Sequence, residues 1–511
     1  MILGEIVRRN ARRYPHKTAV VFQDKRFTFK EFNNRVNSLT NALLDMGMGK
    51  GDRFAVLLDN CHQYIELYFV APKAGMVMVP LNYRLSSEQL VYIINNAEPT
   101  TLFLGENYLG LVNSIRGKLK GVKNFILIGT PQEGMKSYED LVSRYSPDEP
   151  KVEVAEEDVA YLLYTGGTTG LPKGAMITHR AGVETAENSA YAYRLTPEDV
   201  GIVMVPAFWG ALQLNILPWS YLGCTIAIIK EFDPRIVLEA IQREKVTVSL
   251  IIPTFITALL DCPDIRKYDL SNLRWFLFGS TPTAGEILKQ AIGVFGDIFR
   301  QVYGLIETGW LTVVPPGAAA VEGSPEKVKR LQSCGKEILN VHIRIVDENG
   351  KDVPPGEVGE LIAKGDNLLK GYWKLPQATE EALKGSYLYT GDMATMDENG
   401  FIYLVGRKKD IIMSGGRSIF GNEIEEVLHK HPSVLEAAVI GVPDAKLGEA
   451  IKAIVVLKKG KTATQGEIIG FCRQSLPEYA LPQSVDFIDK LPRSTVGKIL
   501  KRELRGKYQR A

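Results

Sequence analysis

The chain has 511 residues, of which 45% are hydrophobic and 23% charged, and its formal net charge is +2. This composition is that of an average globular protein and excludes an intrinsically disordered chain, a collagen and a disulfide-stabilised miniprotein. The length favours more than one domain, and the small net charge gives no indication of nucleic acid binding. The five cysteines lie far apart without a CxxC pair, which favours reduced thiols in a cytosolic protein over a zinc site or disulfides.

The first 150 residues alternate short β-rich runs with helical patterns. The runs RFAVLLDN, MVMVPLN and TTLFLG predict buried strands, and CHQYIELYFVAPKAG and SSEQLVYIINNA predict helices, the second with a serine cap. Such alternation predicts parallel sheets with helices on both faces. The same pattern continues to about residue 330, so we expect a large α/β domain in this part of the chain.

One uncharged segment, residues 200–229, is long enough to suggest a membrane span. Proline, glycine and amide residues interrupt it, so we interpret it as a strand, a loop, a buried helix and a second strand within a large core. The N-terminus carries arginines with no apolar run behind them, unlike a signal peptide. We therefore expect a cytoplasmic protein without an integral membrane segment.

From Val341 the pattern changes to β-rich runs joined by turns. The sequence DENG occurs at 347–350 and again at 397–400, each time between two β-rich runs, as in a hairpin. The segment GRKKD at 406–410 is typical of a linker. The residues after it alternate helix and strand on a smaller scale, which predicts a small α+β domain.

The region from Gly406 to the C-terminus is basic, with 19 Lys and Arg against 12 Asp and Glu. Two interpretations of this charge are open. It is either the ordinary solvated surface of a small domain or the surface of a basic lid that closes over polyanions.

The clearest functional motif is YLLYTGGTTGLPKG at 161–174. An apolar strand leads into a loop whose glycines let successive N–H groups face an anion and whose threonines add hydroxyl donors. Lys173 adds a positive charge. The spacing is not that of a Walker motif, because Pro172 precedes the lysine and Gly174 follows it. The motif predicts a loop that binds a polyphosphate.

This loop resembles the phosphate-loop signature of the adenylate-forming enzymes, which include acyl- and aryl-CoA synthetases, adenylation domains of peptide synthetases and firefly-type luciferases. Further motifs that resemble those of the family follow in its order: QVYGLIET at 301–308, YTGD at 389–392, GRKKDIIMSGG at 406–416 and PRSTVGK at 492–498. The resemblance implies a large N-terminal α/β domain, residues 1–406, with mixed or parallel sheets and a β-rich subdomain. It also implies a small mobile α+β C-terminal domain, residues 407–511, with a hinge near Lys409.

The same resemblance implies which residues bind ATP. The loop at 165–174 is expected to hold the β- and γ-phosphates, and Glu307 to bind Mg²⁺ through its carboxylate. Asp392 is expected to accept hydrogen bonds from the ribose hydroxyls, with Arg407 beside the ribose. The full implied set is Thr165, Gly166, Gly167, Thr168, Thr169, Gly170, Lys173, Gly279, Ser280, Thr281, Gln301, Tyr303, Gly304, Asp392, Arg407 and Lys498.

Catalysis is implied for Lys498, which would bridge the carboxylate and the α-phosphate, together with Thr165, Glu307 and Lys409. Lys409 corresponds to the residue about which the small domain rotates between two half-reactions. The segment Ser414, Gly415 and Gly416 is expected to border the pantetheine channel. The expected acyl pocket is mostly apolar, which favours an uncharged acyl or aryl group, and is lined by Phe208, Trp209, Leu212, Gln213, Leu305 and Ile306.

Two positions depart from the common family pattern. Ile306 replaces a threonine or serine whose hydroxyl contacts the α-phosphate, and one hydrogen bond to a charged group contributes about 1.5–3 kcal/mol. Trp209 stands where many acyl-CoA synthetases have histidine. It either gates the carboxylate pocket or fills it.

The function implied is that of an ATP-dependent carboxylic acid:CoA ligase acting through an acyl-adenylate, with release of pyrophosphate and then AMP. ATP, Mg²⁺, CoA and a fatty, alicyclic or aromatic acid are the expected small-molecule partners, and self-association is left open. One alternative is a stand-alone adenylation enzyme that loads a non-CoA acceptor, although the aspartate that binds an amino-acid ammonium group is replaced by Trp209. The other is a weakly active adenylate-binding paralogue, against which the presence of Lys173, Glu307, Asp392 and Lys498 argues.

Overall fold

The structure is a computed structural model that describes residues 1–165, 171–209, 213–279, 285–494 and 498–508, without the side chains of residues 213, 285 and 286. The chain forms two compact units. The first contains Met1–Thr165, Pro172–Ile343 and Ala363–Leu388, and the second consists mainly of Arg344–Ile362 and Tyr389–Ala511.

Strands and helices alternate along most of the chain. The strands are β1 (Thr18–Phe22), β2 (Lys25–Thr28), β3 (Arg53–Leu57), β4 (Val77–Pro80), β5 (Thr101–Gly105), β6 (Asn124–Ile128), β7 (Lys136–Ser137), β8 (Val159–Thr165), β9 (Lys173–Thr178), β10 (Val200–Val203), β11 (Thr225–Ile228), β12 (Val248–Ile251), β13 (Trp275–Phe278), β14 (Phe299–Leu305), β15 (Gly309–Val313), β16 (Lys336–Glu337), β17 (His342–Val346), β18 (Gly359–Lys364), β19 (Gly371–Tyr372), β20 (Leu383–Lys384), β21 (Tyr387–Met396), β22 (Ile402–Arg407), β23 (Ile411–Ser414), β24 (Arg417–Phe420), β25 (Val434–Asp444), β26 (Gly448–Leu457) and β27 (Ser484–Phe487). The helices are α1 (Gly4–Arg13), α2 (Phe29–Asp45), α3 (His62–Lys73), α4 (Ser87–Ala97), α5 (Leu109–Ile115), α6 (Tyr138–Arg144), α7 (His179–Ala192), α8 (Gln213–Leu222), α9 (Pro234–Glu244), α10 (Pro253–Leu260), α11 (Gly285–Phe295), α12 (Pro325–Lys329), α13 (Pro376–Ala382), α14 (Gly421–His429), α15 (Gln465–Cys472) and α16 (Lys501–Tyr508).

Two large sheets form the first unit. One has the strand order β16-β15-β14-β13-β12-β10-β11-β1-β2, and the other has the order β19-β9-β8-β4-β3-β5-β6-β7. The neighbours from β14 to β1 in the first sheet pair in parallel, as do those from β8 to β7 in the second. Antiparallel strands such as β2, β15 and β9 extend these parallel cores. The predicted parallel sheets are confirmed. In folds of this kind, ligands bind beyond the carboxyl ends of the parallel strands, and the predicted nucleotide-binding segments at 165–170 and 279–281 follow β8 and β13 in the sequence.

Local signals account for the predicted elements of the N-terminal region. The serine cap of α4 is confirmed: Ser86 Oγ accepts a hydrogen bond from the Gln89 backbone, and the Gln89 side chain accepts one from the Ser86 backbone. The uncharged segment 200–229 contains β10, α8 and β11, as predicted, and Trp219 in the helix is fully buried. No helix within the described residues is long and apolar enough to cross a membrane.

The second unit contains smaller sheets. Most residues of a five-stranded sheet, ordered β17-β18-β21-β20 with β22 beside β21, belong to it, and so does the sheet β24-β23-β26-β25 with β27 beside β26. The two DENG sequences form the same turn: Asp347 Oδ1 accepts hydrogen bonds from the backbones of Asn349 and Lys351, and Asp397 Oδ1 accepts the equivalent pair. The glycine that ends each turn has a positive φ, +77° at Gly350 and +78° at Gly400. The predicted hairpin turns are confirmed.

Two details of the C-terminal region differ from the sequence prediction. Gly406 and Arg407 are strand residues paired with Met393 and Asp392, so the linker shortens to the 3₁₀ turn Lys408–Asp410. The predicted alternation of helix and strand is also interrupted at one point, where β26 follows β25 directly and pairs with it antiparallel. The β-branched run of β26 favours a strand, and the charged residues near its start do not change that.

The α/β character of the large region and the α+β character of the small one are confirmed. The boundary between the compact units does not lie at residue 406. Residues 344–362 and 389–407 belong to the same unit as the C-terminal residues. The division into compact units does not report whether one unit moves, so the mobile domain 407–511 and its hinge stay a prediction.

Candidate active site

The phosphate-loop motif begins in strand β8 and ends in strand β9 of the first unit. Strands β8 and β9 pair antiparallel, with Thr165 opposite Lys173. The Thr165 hydroxyl donates to the Lys173 carbonyl over 3.4 Å. This register places the predicted catalytic threonine and the predicted phosphate-binding lysine side by side at the base of the loop. Residues Gly166, Gly167, Thr168, Thr169 and Gly170 lie outside the described residues.

The predicted metal ligand Glu307 lies in a tight turn between β14 and β15. The Leu305 backbone donates to the Thr308 hydroxyl over 3.0 Å, and the Leu369 backbone donates to the Glu307 carbonyl over 2.7 Å. The half-buried Glu307 carboxylate accepts a hydrogen bond from the Tyr372 hydroxyl over 2.9 Å. The turn therefore forms with isoleucine at position 306, and its main-chain contacts use other residues.

Three of the residues predicted to bind ATP, Gly279, Tyr303 and Gly304, lie in or beside closely spaced strands. A Cβ atom at Gly304 would lie 2.0 Å from the Gly309 carbonyl oxygen, and one at Gly279 would lie 2.5 Å from the Val302 carbonyl oxygen. Tyr303 is buried in β14. The absence of side chains at the two glycines is thus required by backbone packing, whatever they contact in the nucleotide.

Gln301, also predicted to bind ATP, makes hydrogen bonds to the main chain of a neighbouring segment. With its amide nitrogen oriented as a donor, it lies 3.2 Å from the carbonyls of both Leu331 and Ser333. The side chain therefore ties β14 to the segment before β16. Its role toward ATP stays a prediction, and Ser280 and Thr281 lie outside the described residues.

The steric requirement at Gly304 gives a direct test. We expect Gly304→Ala to lower the free energy of unfolding by about 1–3 kcal/mol, because the backbone must shift to admit the methyl group. Urea unfolding measures the loss. Gly293→Ala is the matched control: its Cβ would meet open space within α11, so a gain of about 0.5–1 kcal/mol is expected. Equal unfolding midpoints for Gly304→Ala and the unaltered protein would contradict the requirement.

The predicted acyl-pocket residue Phe208 lies in a segment held by buried contacts of the first unit. Asn60, only 5% exposed, donates to the carbonyls of Val205 (2.9 Å) and Ile229 (3.0 Å) and accepts from the Ala207 backbone (2.7 Å). Phe208 is buried and packs edge-to-face on Tyr83, with ring centroids 4.8 Å apart. These contacts hold Phe208 in the packed interior of the first unit, and its place in an acyl pocket stays a prediction.

Trp209 follows in a turn closed by its backbone N–H, which donates to the Pro206 carbonyl over 3.1 Å, and its side chain is half-buried. Leu305 and Ile306 are also half-buried, at the end of β14 and in the turn that carries Glu307. Leu212 and the side chain of Gln213 lie outside the described residues. That these groups line one acyl pocket stays a prediction.

The predicted ribose residues of the second unit are paired. Asp392 and Arg407 are opposite each other on β21 and β22, and Arg407 Nε lies 2.7 Å from Asp392 Oδ1. The Asp392 backbone N–H donates to the Thr390 hydroxyl over 3.1 Å. The mostly buried carboxylate and its guanidinium partner are thus held together by strand register, as the prediction of neighbouring ribose contacts requires.

The predicted hinge residue Lys409 is the centre of the 3₁₀ turn Lys408–Asp410. Its two neighbours bind different elements of the second unit. Lys408 Nζ lies 2.8 Å from Glu360 in β18, and Asp410 lies 2.8 Å from Arg505 in α16. Partial desolvation and the positive charge of Arg407 lower the pKa of Lys409. The contacts change from the sheet of β18 to the C-terminal helix across this one residue.

Gly415 and Gly416 form the two-residue turn between β23 and β24. Both have a positive φ, +57° and +75°, which is the requirement of a type I′ hairpin turn. Ser414 and Arg417 close the hairpin as a register pair, and the Gly415 N–H donates to the Leu447 carbonyl over 2.8 Å. The glycines are needed for the turn itself, and their place in a pantetheine channel stays a prediction.

Two hydrogen bonds join Lys498 to Ser494. The Ser494 backbone donates to the Lys498 carbonyl over 2.7 Å, and the Lys498 backbone donates to the Ser494 hydroxyl over 3.1 Å. The exposed lysine directly precedes α16, which Lys501 anchors through a 2.7 Å ion pair with Glu425. The backbone of Lys498 is thus held by Ser494 a few residues before the start of α16.

Two residues that contact the predicted site, or the segment leading into it, belong to none of the sequence motifs. Tyr372 lies in the run KGYWK, and Asn60 follows β3. A tyrosine beside a glycine and an asparagine after a strand are both common, so only the tertiary contacts identify them.

Comparison with known proteins identifies the family. Residues 7–373 match the family described as AMP-binding enzyme, and residues 423–498 match the AMP-binding enzyme C-terminal domain. A feruloyl-CoA synthase from Amycolatopsis sp is 34% identical over 99% of both chains, and a long-chain-fatty-acid–CoA ligase from Escherichia coli is 32% identical over 98% of this chain and 94% of its own. The ATP-bound crystal structure of MatB from Rhodopseudomonas palustris is 29% identical, covers 100% of this chain and 99% of that one, and has a TM-score of 0.89. The chain belongs to the AMP-binding enzyme family of the adenylate-forming superfamily.

Proposed function

We propose that the protein is an AMP-forming carboxylic acid:CoA ligase that acts in the cytoplasm. The observation that carries the proposal is the placement of Lys173 and Glu307 around Tyr372, beside the base of the glycine- and threonine-rich loop. A cation for phosphate oxygens and a carboxylate for a metal ion are the two groups that a magnesium–triphosphate complex needs. The full-length relatives named as feruloyl-CoA synthase and long-chain-fatty-acid–CoA ligase support the same class of reaction.

The residues present fit Mg²⁺ bound together with ATP. No group of three or more metal-ligating side chains occurs in the part of the chain that the structure describes. A site in which Glu307 supplies one carboxylate, and phosphate oxygens and water supply the rest, suits Mg²⁺, which keeps much of its water shell. When bound, the ion would reduce the charge repulsion between the triphosphate and an incoming carboxylate.

In the first half-reaction, an oxygen of the carboxylate attacks the α-phosphorus of ATP. The bond from that phosphorus to the bridging oxygen breaks, and pyrophosphate leaves with the electron pair. Lys173 holds the outer phosphates and Lys498 offsets the charge that develops around the α-phosphorus. Asp392 and Arg407 hold the ribose, so that the nucleotide keeps one orientation during the displacement.

In the second half-reaction, the CoA thiolate attacks the acyl carbon, and the carbon–oxygen bond to AMP breaks. AMP is a better leaving group than the oxide ion that a free carboxylate would have to release. We propose that the chain changes conformation at Lys409 between the steps, after which Ser414, Gly415 and Gly416 border the thiol. Glycines at this turn leave room for a narrow pantetheine arm.

The acid is proposed to be uncharged apart from its carboxylate. Phe208, Trp209, Leu305 and Ile306 offer an apolar surface, which favours a fatty, alicyclic or aromatic acyl group. Isoleucine at 306 supplies no hydroxyl for the α-phosphate, so adenylation is expected to depend more strongly on Lys498.

A substitution at Trp209 tests the pocket. We expect Trp209→Ala to shift kcat/KM toward bulkier acids and to lower it for small ones, which lose the contact that holds their carboxylate near phosphorus. Because Trp209 is half-buried, Trp209→Ala should lower the free energy of unfolding by less than Phe208→Ala, for which a loss of about 3–5 kcal/mol is expected. Thermal unfolding and an acid series measure both. An unchanged acid profile with a large stability loss would assign Trp209 to packing.

The proposed function itself is tested by acid-dependent exchange of pyrophosphate into ATP, followed by thioester detection with CoA. Exchange with at least one apolar acid, and a thioester in the presence of CoA, are the expected results. Exchange without any thioester would favour the stand-alone adenylation alternative. No exchange with any acid, despite ATP binding, would favour the adenylate-binding paralogue.

A further inference from the structure

Tyr372 contacts both charged groups of the proposed triphosphate site. Its hydroxyl donates to Glu307 Oε1 over 2.9 Å. Its ring lies under the ammonium group of Lys173, with Nζ 5.1 Å from the ring centroid. One neutral side chain thus binds the expected metal ligand through its hydroxyl and the expected phosphate ligand through its π face.

The position of the Tyr372 backbone does not depend on these side-chain contacts. β19 pairs antiparallel with β9, with Tyr372 opposite Ala175. The Tyr372 N–H donates to the Thr379 hydroxyl over 2.8 Å, and the Trp373 N–H donates to the Gly174 carbonyl over 2.8 Å. The side chain can therefore be changed while the strand stays in place.

We infer that Tyr372 is a positioning residue that orients Glu307 for the metal ion and fixes Lys173 for the phosphates. The inference rests on the proposed function and adds to it a residue that no motif indicated. A hydroxyl that donates to one carboxylate oxygen leaves the other oxygen for a cation. A cation–π contact restrains the long lysine side chain. It does so without pairing the ammonium group with a negative charge, so the N–H donors can still bind phosphate oxygens.

Because Tyr372 contacts both Lys173 and Glu307, each charged group has a neutral partner and stays available to bind its ligand. At about 4 Å, opposite charges near a protein surface attract each other strongly enough to form an ion pair. A direct Lys173–Glu307 pair would satisfy each group with the other and weaken the binding of both phosphate and metal ion. The tyrosine offers each group a neutral partner instead.

Two substitutions separate the contacts. Tyr372→Phe keeps the ring and removes the hydroxyl, whereas Tyr372→Leu removes both. ATP binding by the full chain is measured calorimetrically without any acid, once with EDTA and once with excess MgCl₂. For Tyr372→Phe we expect nearly unchanged affinity in EDTA and about a fivefold to tenfold smaller gain in affinity from Mg²⁺, because the carboxylate loses its orienting hydrogen bond. Tyr372→Leu should also weaken binding in EDTA.

Tyr145→Phe is the matched control, because it removes a tyrosine hydroxyl that donates to the exposed carboxylate of Asp45 over 2.7 Å. It should bind ATP like the unaltered protein in both conditions. If Tyr372→Phe weakens ATP binding equally with and without Mg²⁺, or not at all, the inference is wrong while the proposed function stands. If the unaltered protein binds no ATP in either condition, the proposed function is wrong and the inference falls with it. If Tyr372→Leu binds ATP in EDTA as tightly as Tyr372→Phe does, the ring does not fix Lys173 and the inference is wrong for that contact. Should the leucine variant fail to fold, Tyr372→Met, which also removes the ring, takes its place.

Discussion

Lys498→Ala is expected to lower the rate of acyl-adenylate formation by about 10²–10³-fold, the usual effect of removing one electrostatic contact to a transition state. Thioester formation from a supplied acyl-adenylate should change little, because that step has no triphosphate charge to offset. The hydrogen bonds between Ser494 and Lys498 use only the backbone of the lysine, so they are expected to persist when its side chain is removed. Pyrophosphate exchange reports the first step, and a CoA thioester assay reports the second.

Lys490→Ala is the matched control for charge. Lys490 is another exposed lysine of the same C-terminal region, so the variant loses the same charge outside the proposed site. It should retain both half-reactions. An equal loss of the two half-reactions in Lys498→Ala, or an equal effect of Lys490→Ala, would contradict the assigned role.

Lys409→Pro should have the opposite effect, with adenylation retained and CoA transfer lowered about 10²-fold, the magnitude that misplaced reacting groups produce. Proline fixes φ near −65°, which is within the range of the 3₁₀ turn that Lys409 occupies. The turn can therefore persist, whereas a backbone rotation at this residue cannot. The residues on either side of Lys409 form ion pairs with different elements, Lys408 with Glu360 of β18 and Asp410 with Arg505 of α16, which suits a pivot at this position.

Lys409→Ala separates the side chain from the backbone. It removes the ammonium group but leaves φ free, so CoA transfer should remain close to normal. Thermal unfolding of both variants is needed, because proline also restricts the residue that precedes it. Unchanged overall turnover in Lys409→Pro would show that the hinge lies elsewhere, and equal losses in both variants would assign the effect to the lysine charge.

The C-terminal region shows how far sequence patterns reach. The resemblance to the family places the glycine pair at 415–416 beside a ligand channel, but the positive φ of both residues shows a local reason for glycine, the hairpin turn itself. The sequence also predicts a linker at GRKKD, yet Gly406 and Arg407 extend β22, because they pair with Met393 and Asp392 on the other arm of the hairpin that the second DENG turn closes.

The sequence by itself determined the class of the fold, because alternating apolar periodicity is encoded within short windows. It also indicated the family, through the resemblance of its ordered motifs to those of the adenylate-forming enzymes. It also placed individual elements such as α4 and the two DENG turns, whose hydrogen bonds join residues only a few positions apart. Only the tertiary structure decided that Tyr372 contacts Glu307 and Lys173, and that Asn60 holds the segment before Phe208. The physical reason is that these contacts join residues between 65 and 199 positions apart, at distances set by sheet register, and no local preference of the chain specifies them.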